Sequence, residues 1–278
     1  MILWVKSKRK TTIIFFTVTS IIIFLCFAFY HGLTVKKYVI ETGKLTQPIS
    51  IVLLADLHSC LYGKDQSKLI DLITAQNPDI VLMAGDIADD DLPIEGTVFL
   101  LEGIADRYPC FYVSGNHEFW SGEIEKIKDL FKSYGVKVLE GESITATLNG
   151  QTITICGVDD PEIGNKIFRQ QLNQAFQGIG RDSFSILLSH RPERIKEYSV
   201  YDPDLVLSGH AHGGLWRIPF VLDGFISPDQ GFFPKYTSGI YEFNKTLMIV
   251  SRGLSTYSTR IPRIFNPPEL VVINIIGK

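Results

Sequence analysis

The chain has 278 residues, of which 45% are hydrophobic and 21% are charged, and its formal net charge is −3. This length and balance predict one large domain or two small ones with a substantial buried core. The negative net charge argues against nucleic-acid binding, which normally needs a basic surface. The four cysteines form no CxxC pair, so no disulfide framework is expected.

The N-terminal part of the chain is first basic and then apolar. Four basic residues between positions 6 and 10 precede the segment 11–30, which contains no charged residue. A helix of about twenty residues spans about 30 Å, the thickness of the hydrocarbon core of a membrane. The segment 11–30 is therefore predicted to be a transmembrane anchor, through which the protein would associate with the membrane.

Positive charge marks the cytoplasmic side of such an anchor, so residues 1–10 are predicted to form a cytoplasmic basic segment. The rest of the chain is then expected outside the cytoplasm, on a single-pass protein of the cell membrane. A cleaved signal peptide is the alternative interpretation. It is disfavoured because the exit Cys26–His31 consists mostly of large residues, whereas a cleavage site needs small ones.

A connector is predicted over 31–48, and the domain over 49–278 then begins with alternating strands and helices. Continuous apolar runs predict buried strands at Ile49–Ala55, Ile80–Ala84 and Cys110–Val113. Apolar residues at helical spacing predict helices over 64–76, around 99–104, and over 121–134 with Ser121 as the capping residue.

The second half of the domain is richer in hairpins. Asn149-Gly150 and Asn244-Lys245 each stand between short apolar runs, the pattern of two-residue hairpins. Further strands are predicted at 186–189, 205–208 and 270–276. The whole pattern predicts a layered α/β sandwich with two central mixed β-sheets flanked by helices, preceded by one N-terminal transmembrane helix.

Polar residues directly follow five of the predicted strands. They are Asp56 and His58, Asp86, Asn116 and His117, His190, and finally His210 and His212. In an open α/β sheet the carboxyl ends of the strands form the edge where ligands bind. Asp, Asn and His also suit a divalent metal, and residues i and i+2 of an extended segment point to the same side. The sequence therefore predicts a metal site at this edge.

The series Asp-x-His, Gly-Asp, Gly-Asn-His-Glu, His and Gly-His-x-His, over residues 50–215, resembles the calcineurin-like metallophosphoesterase superfamily. Further similarity to its membrane-anchored bacterial branch lies in Gly213-Gly214, Ser251–Leu254 and Asn266–Glu269. Two positions depart from the usual pattern: Leu215 replaces a glutamine, and Ala55 replaces a serine or threonine. Neither is a ligand position, so the departures bear on the substrate rather than on the chemistry.

The resemblance implies two divalent metal ions, which would be Mn²⁺, Zn²⁺ or Fe. One ion would be held by Asp56, His58 and His212, the other by Asn116, His190 and His210, with Asp86 bridging both. His117 would be the catalytic residue that stabilises the phosphoryl oxygens or protonates the leaving oxygen. The implied reaction is the attack of a metal-bound hydroxide on phosphorus.

The expected function is therefore binuclear metal-dependent hydrolysis of a phosphodiester or pyrophosphate bond in a phosphate-ester substrate. The predicted anchor favours a lipid-linked or envelope metabolite. A phosphomonoesterase or protein phosphatase is the alternative within the enzyme class. A non-catalytic metal-binding regulatory module is a further alternative, disfavoured because Asp86 and His117 are both present. Nothing in the sequence indicates an oligomeric state.

Other residues near these motifs give weaker signals. Glu118 and the run Asp89–Asp91 are interpreted as solvated loop carboxylates. Arg252 is either a donor to a substrate phosphate or an ordinary surface arginine. The aromatic-rich segment 220–236 either grips an acyl chain or a membrane surface, or packs on its own aromatic residues, the latter being slightly favoured.

Overall fold

A computed structural model describes residues 2–180, 182–256 and 261–278, with the side chains described from residue 12 onward. Its first sheet has the strand order β1 (Thr34–Thr42), β14 (Glu269–Gly277), β2 (Ile49–Leu54), β3 (Ile80–Ala84), β4 (Cys110–Val113) and β5 (Lys137–Val138). The second has the order β12 (Gly239–Phe243), β13 (Thr246–Val250), β9 (Leu205–Ser208), β8 (Phe184–Leu188), β7 (Gln151–Gly157) and β6 (Ser143–Leu148). A small ribbon pairs β10 (Ile226–Ser227) with β11 (Gly231–Phe232).

Both large sheets contain parallel and antiparallel pairs, which confirms the two mixed sheets. In the first, β2, β3, β4 and β5 run parallel, and β14 runs antiparallel to β2. In the second, β7, β8, β9 and β13 run parallel between two antiparallel edge strands. The carboxyl ends of the parallel strands therefore gather at one edge of each sheet.

Seven α-helices surround the sheets. They are α1 (Ile2–Ala28), α2 (Ser67–Thr74), α3 (Glu95–Ile104), α4 (Asn116–Trp120), α5 (Ile124–Ser133), α6 (Asn165–Ala175) and α7 (Ile195–Tyr198) among the described residues. Short 3-10 turns lie at Lys64–Gln66, Pro161–Ile163, Pro192–Arg194, Ser199–Tyr201 and His212–Gly214.

The core is layered because the buried strands are apolar on both faces. In β2, Ile51 and Leu53 pack between the two sheets, while Val52 and Leu54 pack against the helices of the first sheet. Successive side chains of a strand point to opposite faces, so a continuous apolar run serves two layers at once. On the far side, Phe168 of α6 packs with Leu187 of β8 in a third cluster. The predicted layered sandwich is confirmed.

The N-terminal segment forms helix α1, whose described apolar side chains are largely exposed. Among the described residues, no helix combines the length and apolar character that a membrane span requires. The predicted transmembrane helix over 11–30 is therefore not supported by the structure. The side chains of the predicted basic segment 1–10 lie outside those described.

The segment 31–48, predicted to be a connector, contains strand β1. It pairs in parallel with β14, so that Thr34 lies opposite Glu269. A local pattern gave no sign of this strand, because its partner lies at the other end of the chain and its residues Lys36 and Lys37 belong to an edge strand.

Two helix predictions also differ from the structure. The helix predicted from Ser121 to Tyr134 is present as α5, but it begins at Ile124, and Ser121 ends the preceding helix α4 rather than capping α5. Its hydroxyl accepts a hydrogen bond from the backbone N–H of Glu123, which stabilises the break between them. Helix α6 was not predicted, because its polar residues outnumber the four that it buries.

Candidate metal centre

The loops after β2, β3, β4, β8 and β9 bring the predicted ligands to one edge of the paired sheets. One ligand atom each of Asp56, His58 and His212 lies within 4.8 Å of the others, and we call these residues the first group. The same holds for Asp86, His190 and His210, which together with Asn116 we call the second group. All seven side chains are buried.

Asp86 connects the two groups. Its Oδ2 lies 3.6 Å from Nε2 of His58 in the first group and 3.1 Å from Nε2 of His190 in the second. Its Oδ1 accepts a hydrogen bond of 2.9 Å from the backbone N–H of His117. One oxygen is thus held by the fold, and the other is left facing both groups.

Several buried polar atoms at this edge have no hydrogen-bond partner within the described parts of the chain. They are Oδ2 of Asp56, Nε2 of His58, Oδ2 of Asp86 and Oδ1 of Asn116. A buried polar atom without a partner costs about 1–3 kcal/mol, so such atoms rarely occur together without a ligand. Carboxylate, amide and imidazole atoms form the donor set of a divalent transition metal. The residues present therefore fit a pair of metal ions.

The charge of the second group also calls for a cation. Burial lowers the pKa of His190, but Asp86 and Asp56 beside it raise that pKa to about 10. Two buried carboxylates thus attract positive charge to the centre of the site. A metal ion would supply that charge and take the place of the proton on His190.

The backbone around the ligands is strained. Asp56, His58, Asp86, His210 and His212 all have positive φ angles, between 46° and 66°. Such conformations are uncommon for residues other than glycine and collect at functional sites. They occur here because each loop must turn sharply at the end of its strand to direct the ligand side chain inward. Gly115 permits a related close approach, since a Cβ atom there would lie 2.2 Å from Oδ1 of Asp86.

Each of the four ligand histidines has an outer partner on its second ring nitrogen. Nδ1 of His58 lies 2.9 Å from Asp89, and Nδ1 of His190 lies 2.7 Å from the carbonyl oxygen of Ala84. Such partners fix the orientation and tautomer of a metal-binding imidazole.

His212 has a different kind of neighbour, a cation. Its Nδ1 lies 3.3 Å from Nη2 of the buried Arg263. Burial, together with Arg263 and His58, holds the pKa of His212 well below its usual value. The imidazole therefore stays neutral, which is the form that binds a metal.

His117 lies at the mouth of the site and is partly exposed. Its Nδ1 makes a hydrogen bond of 2.5 Å with Asp90. The centre of its ring lies 4.3 Å from that of His58, in an edge-on contact, and 4.8 Å from that of Trp120, in a tilted contact. With Nδ1 bonded to a carboxylate, Nε2 is the nitrogen available to a substrate, as the sequence-based role requires.

A family model described as calcineurin-like phosphoesterase matches residues 49–214, which include all the residues of both groups and His117. The chain belongs to the calcineurin-like phosphoesterase family. Members of this family bind divalent metals, and the relatives are named accordingly as metallophosphoesterases.

Two bacterial relatives are similar to this chain over most of its length. An uncharacterized metallophosphoesterase of Campylobacter jejuni is 31% identical over 249 residues, which are 88% of this chain and 63% of the relative. This chain thus spans less than two thirds of the Campylobacter protein. An uncharacterized metallophosphoesterase of Aquifex aeolicus is 30% identical over 259 residues, 89% of this chain and 94% of the relative.

More distant similarities extend to animals and to solved structures. A bovine transmembrane protein with a metallophosphoesterase domain is 28% identical over 224 residues, 75% of this chain and 49% of its own. The NAD nucleotidase of Haemophilus influenzae has a TM-score of 0.49 and 19% identity, over 75% of this chain and 46% of that one.

The carboxylates beside the motifs are not all solvated, as the sequence had suggested. Glu118 is fully buried and accepts hydrogen bonds from the backbone N–H groups of Gly115 and of the residues 86–88. It thereby joins the loops that follow β3 and β4. Asp89 and Asp90 are half-buried against His58 and His117, so only Asp91 is the exposed loop carboxylate that was predicted.

Arg252 does not point freely toward a substrate. Its Nε lies 3.3 Å from the buried carboxylate of Glu269, which also accepts a hydrogen bond from the Arg252 backbone N–H. This pairing joins the loop after β13 to the start of β14. The prediction of a phosphate donor at this position is not supported by this geometry.

Sequence reasoning gave no role at the site to three residues that contact it. Arg263 lies against His212, and Asn266 donates a hydrogen bond of 2.7 Å to the carbonyl oxygen of His212. Asp229 lies 2.8 Å from Nε2 of His210. Asn266 lies in the motif Asn266–Glu269 and Asp229 in the aromatic segment, but neither pattern indicates a contact with a ligand histidine, because that contact forms only when the loops pack together.

The structure confirms that the aromatic segment packs on its own rings. Phe225 stacks on Trp216 and meets Phe232 and Phe233 edge-on, so the segment packs on its own aromatic rings. Phe232, Phe233 and the fully exposed Phe220 nevertheless turn much of their surface to solvent. The segment therefore presents an apolar surface beside the second group.

Proposed function

We propose that this phosphoesterase hydrolyses phosphodiester or pyrophosphate bonds with two divalent metal ions, Mn²⁺, Zn²⁺ or Fe, held by the two groups. The proposal rests chiefly on one observation. Four buried ligand atoms without hydrogen-bond partners among the described residues converge beneath a partly exposed histidine. When bound, the metals would polarise the phosphoryl oxygens and activate water.

The chain itself supplies the proton chemistry and the positioning. Asp90 holds His117 through Nδ1, which directs Nε2 toward the open side of the site. From there His117 can donate a proton or a hydrogen bond to the oxygen that leaves phosphorus. Glu118 joins the turn that carries Asp86 to the turn that carries Asn116, so the carboxylate of Asp86 and the ring of His117 keep their relative positions.

Carboxylates at the mouth of the site bear on the choice between a diester and a monoester. Asp90 and Asp229 lie at the opening beside His117 and His210, and Asp229 is half exposed. A monoester carries close to two negative charges at neutral pH, whereas a diester carries one. Metal ions in the two groups would attract both esters, and the rim carboxylates oppose the dianion more than the monoanion, which shifts the preference toward the diester.

The aromatic segment supports a substrate with an apolar portion. The loop that carries Phe232 and Phe233 also carries Asp229, which contacts His210 of the second group. An apolar chain attached to the phosphate would bury surface against these rings at about 25 cal/mol per Å². We therefore include lipid-linked or envelope phosphate esters in the proposed substrate class.

The test uses the full chain, because a protein that began at residue 49, the predicted start of the domain, would lack strand β1. The protein is purified in a mild detergent, stripped of metal and reloaded with Mn²⁺ or Zn²⁺. Turnover of a chromogenic phosphodiester is compared with turnover of the matching monoester. His117→Ala is the active-site variant, and Asp91→Asn on the exposed rim is the matched control.

We expect metal-dependent diester cleavage that falls by about 10²–10⁴-fold in His117→Ala and stays within a few-fold in Asp91→Asn. Faster cleavage of the monoester would support the alternative, a phosphomonoesterase or protein phosphatase. Two bound metals without turnover of either ester, or of an acylated phosphodiester, would support a non-catalytic regulatory module.

We also propose that the enzyme works at the cell membrane, as a single-pass protein with its catalytic domain outside the cytoplasm. The charge pattern of the N-terminus, the exposed apolar side chains of α1 and the similarity to a bovine transmembrane protein support this location. A reporter fused after Lys278 and active only outside the cytoplasm tests it. An inactive reporter, or recovery of the fusion in the soluble fraction, would contradict the proposal.

A further inference from the structure

Asp229 joins the aromatic segment to the second group. Its Oδ2 lies 2.8 Å from Nε2 of His210 and 2.6 Å from Nη1 of Arg191. The Asp229 side chain is half exposed, whereas that of His210 is buried. The carboxylate therefore reaches inward from the rim to a histidine whose other nitrogen faces the metal site.

The orientation of His210 assigns a role to each ring nitrogen. Nδ1 lies 3.2 Å from Nε2 of His190 and so faces the second group. Nε2 faces the carboxylate of Asp229. A neutral imidazole carries one proton, and a carboxylate is an acceptor only. Nε2 is then the donor to Asp229, and the lone pair on Nδ1 is free for a metal.

Arg191 fixes Asp229 in this position. The guanidinium of Arg191 makes two hydrogen bonds, of 2.8 and 2.9 Å, to the buried carboxylate of Asp160 and a third, of 3.0 Å, to Glu162. Because the guanidinium is planar and held by these bonds, its Nη1 group points toward Asp229. The hydrogen bond with His210, although opposed by burial, and the neighbouring Arg191 together lower the pKa of the Asp229 carboxyl.

We propose that Asp229 is a positioning residue that sets the affinity of the second group for its metal through His210. Metal binding at that group then depends on the seating of the loop that carries the exposed aromatic rings. The inference rests on the proposed binuclear function, but it concerns metal binding rather than turnover. Loss of an outer partner of a metal-bound histidine typically costs about 10–100-fold in affinity.

The experiment titrates the metal-free full chain with Mn²⁺ by calorimetry, for the wild type and Asp229→Asn. We expect two sites in the wild type. In the variant one site should weaken by about 10–100-fold while the other stays within about twofold. Asp223→Asn is the control, because Asp223 lies in the same aromatic segment, is 93% exposed and pairs with Arg217 rather than with a ligand histidine.

Four outcomes would overturn the inference. The first three are unchanged affinities in Asp229→Asn, equal weakening of both sites, and the same loss in Asp223→Asn. The fourth is a third Mn²⁺ in the wild type that disappears in Asp229→Asn, which would assign Nε2 of His210 to an outer metal with Glu193 and Asp229.

A second measurement guards against a variant that merely folds poorly. Electron paramagnetic resonance at two Mn²⁺ per chain distinguishes isolated ions from a coupled pair, and Asp229→Glu keeps the carboxylate. We expect Asp229→Asn to show only isolated Mn²⁺ where the wild type shows coupled pairs, with partial return of the coupled signal in Asp229→Glu. No return in a folded Asp229→Glu would contradict a role for the carboxylate.

Failure of this inference and failure of the proposed function look different. If the wild type binds two metals but hydrolyses no ester, the proposed function fails while the affinity change in Asp229→Asn can still be observed. If the wild type hydrolyses diesters and Asp229→Asn binds both metals normally, only the role of Asp229 fails.

Discussion

Two buried polar clusters lie near the strand ends, and their charges are balanced in different ways. In one, the buried carboxylate of Asp159 lies 2.9 Å from Nζ of Lys128 and accepts hydrogen bonds from Ser114 and Gln171. In the other, Asp56 and Asp86 each keep one buried oxygen without a hydrogen-bond partner in the described structure. The first cluster is complete within the chain, and the second is not.

The difference distinguishes a buried cluster that can stabilise the fold by itself from one that needs a ligand. A buried carboxylate costs several kcal/mol unless it is paired. Lys128 provides that partner for Asp159, so this cluster can hold the turns together without any ligand. In the metal centre, the ion-pair partners of Asp56 and Asp86 among the described residues are all histidines rather than lysine or arginine, so a bound cation would complete the centre.

The largest expected effect follows from removing the carboxylate that faces both groups. Asp86→Asn keeps the size of the side chain and removes its charge. We expect phosphodiester turnover to fall by at least about 10³-fold, because several kcal/mol of metal-dependent stabilisation are lost. The variant should stay folded, since Asn can still accept the hydrogen bond from His117. Near-normal turnover with full metal content would show that Asp86 is not the bridging ligand.

A substitution in the cluster around Asp159 is expected to lower stability rather than turnover. Lys128→Met leaves Asp159 buried without its cation, which should lower the free energy of unfolding by about 3–5 kcal/mol. Chemical denaturation measures the change. Lys132→Met is the control, because Lys132 is more exposed and pairs only with Glu140, so it should cost less than about 1 kcal/mol. Equal effects in the two variants would argue against a special role for the buried pair.

Metal removal should affect stability only through the incomplete cluster. A metal at a concentration of 100 times its Kd stabilises the native state by about 2.7 kcal/mol, so a chelator should lower the melting temperature of the wild type. The melting temperature of Asp86→Asn should respond far less to the same chelator. Lys128→Met should keep the full response, and the loss of that response would mean that the two clusters are not independent.

The smallest expected effect is a change in stability at acid pH, caused by Glu140 beside the Asp159 cluster. Burial raises the pKa of Glu140, but Lys128 and Lys132 lower it more, so the native-state pKa lies below the usual value. Such a carboxylate stabilises the protein above its unfolded pKa of about 4.3, and this contribution is lost as the pH falls. Glu140→Gln should flatten the loss of stability between about pH 5 and 3, by less than about 1 kcal/mol because Glu140 is partly exposed. If Glu140→Gln loses stability at acid pH in the same way as the wild type does, Glu140 is not stabilised by Lys128 and Lys132.

Much of the fold could be read from the sequence, because continuous apolar runs and Asn-Gly turns are local signals. The strands β3 and β4 begin and end where the apolar runs do. The partner of β1 and the start of α5 at Ile124 rather than Ser121 could not be predicted, because they depend on a distant strand and on a single side-chain hydrogen bond. Glu118 was misread for the same reason: only the assembled loops surround it with backbone donors.

The sequence by itself determined the identity of the chemistry-bearing residues and their order after the strands. Asp56, His58 and Asp86 stand at the ends of apolar runs whatever the rest of the molecule does. Tertiary structure alone decided which carboxylates are balanced by the chain and which require a metal. Lys128 meets Asp159, and Asp229 meets His210, only after segments far apart in sequence pack together. The reason is physical, because the cost of a buried charge depends on its neighbours in space.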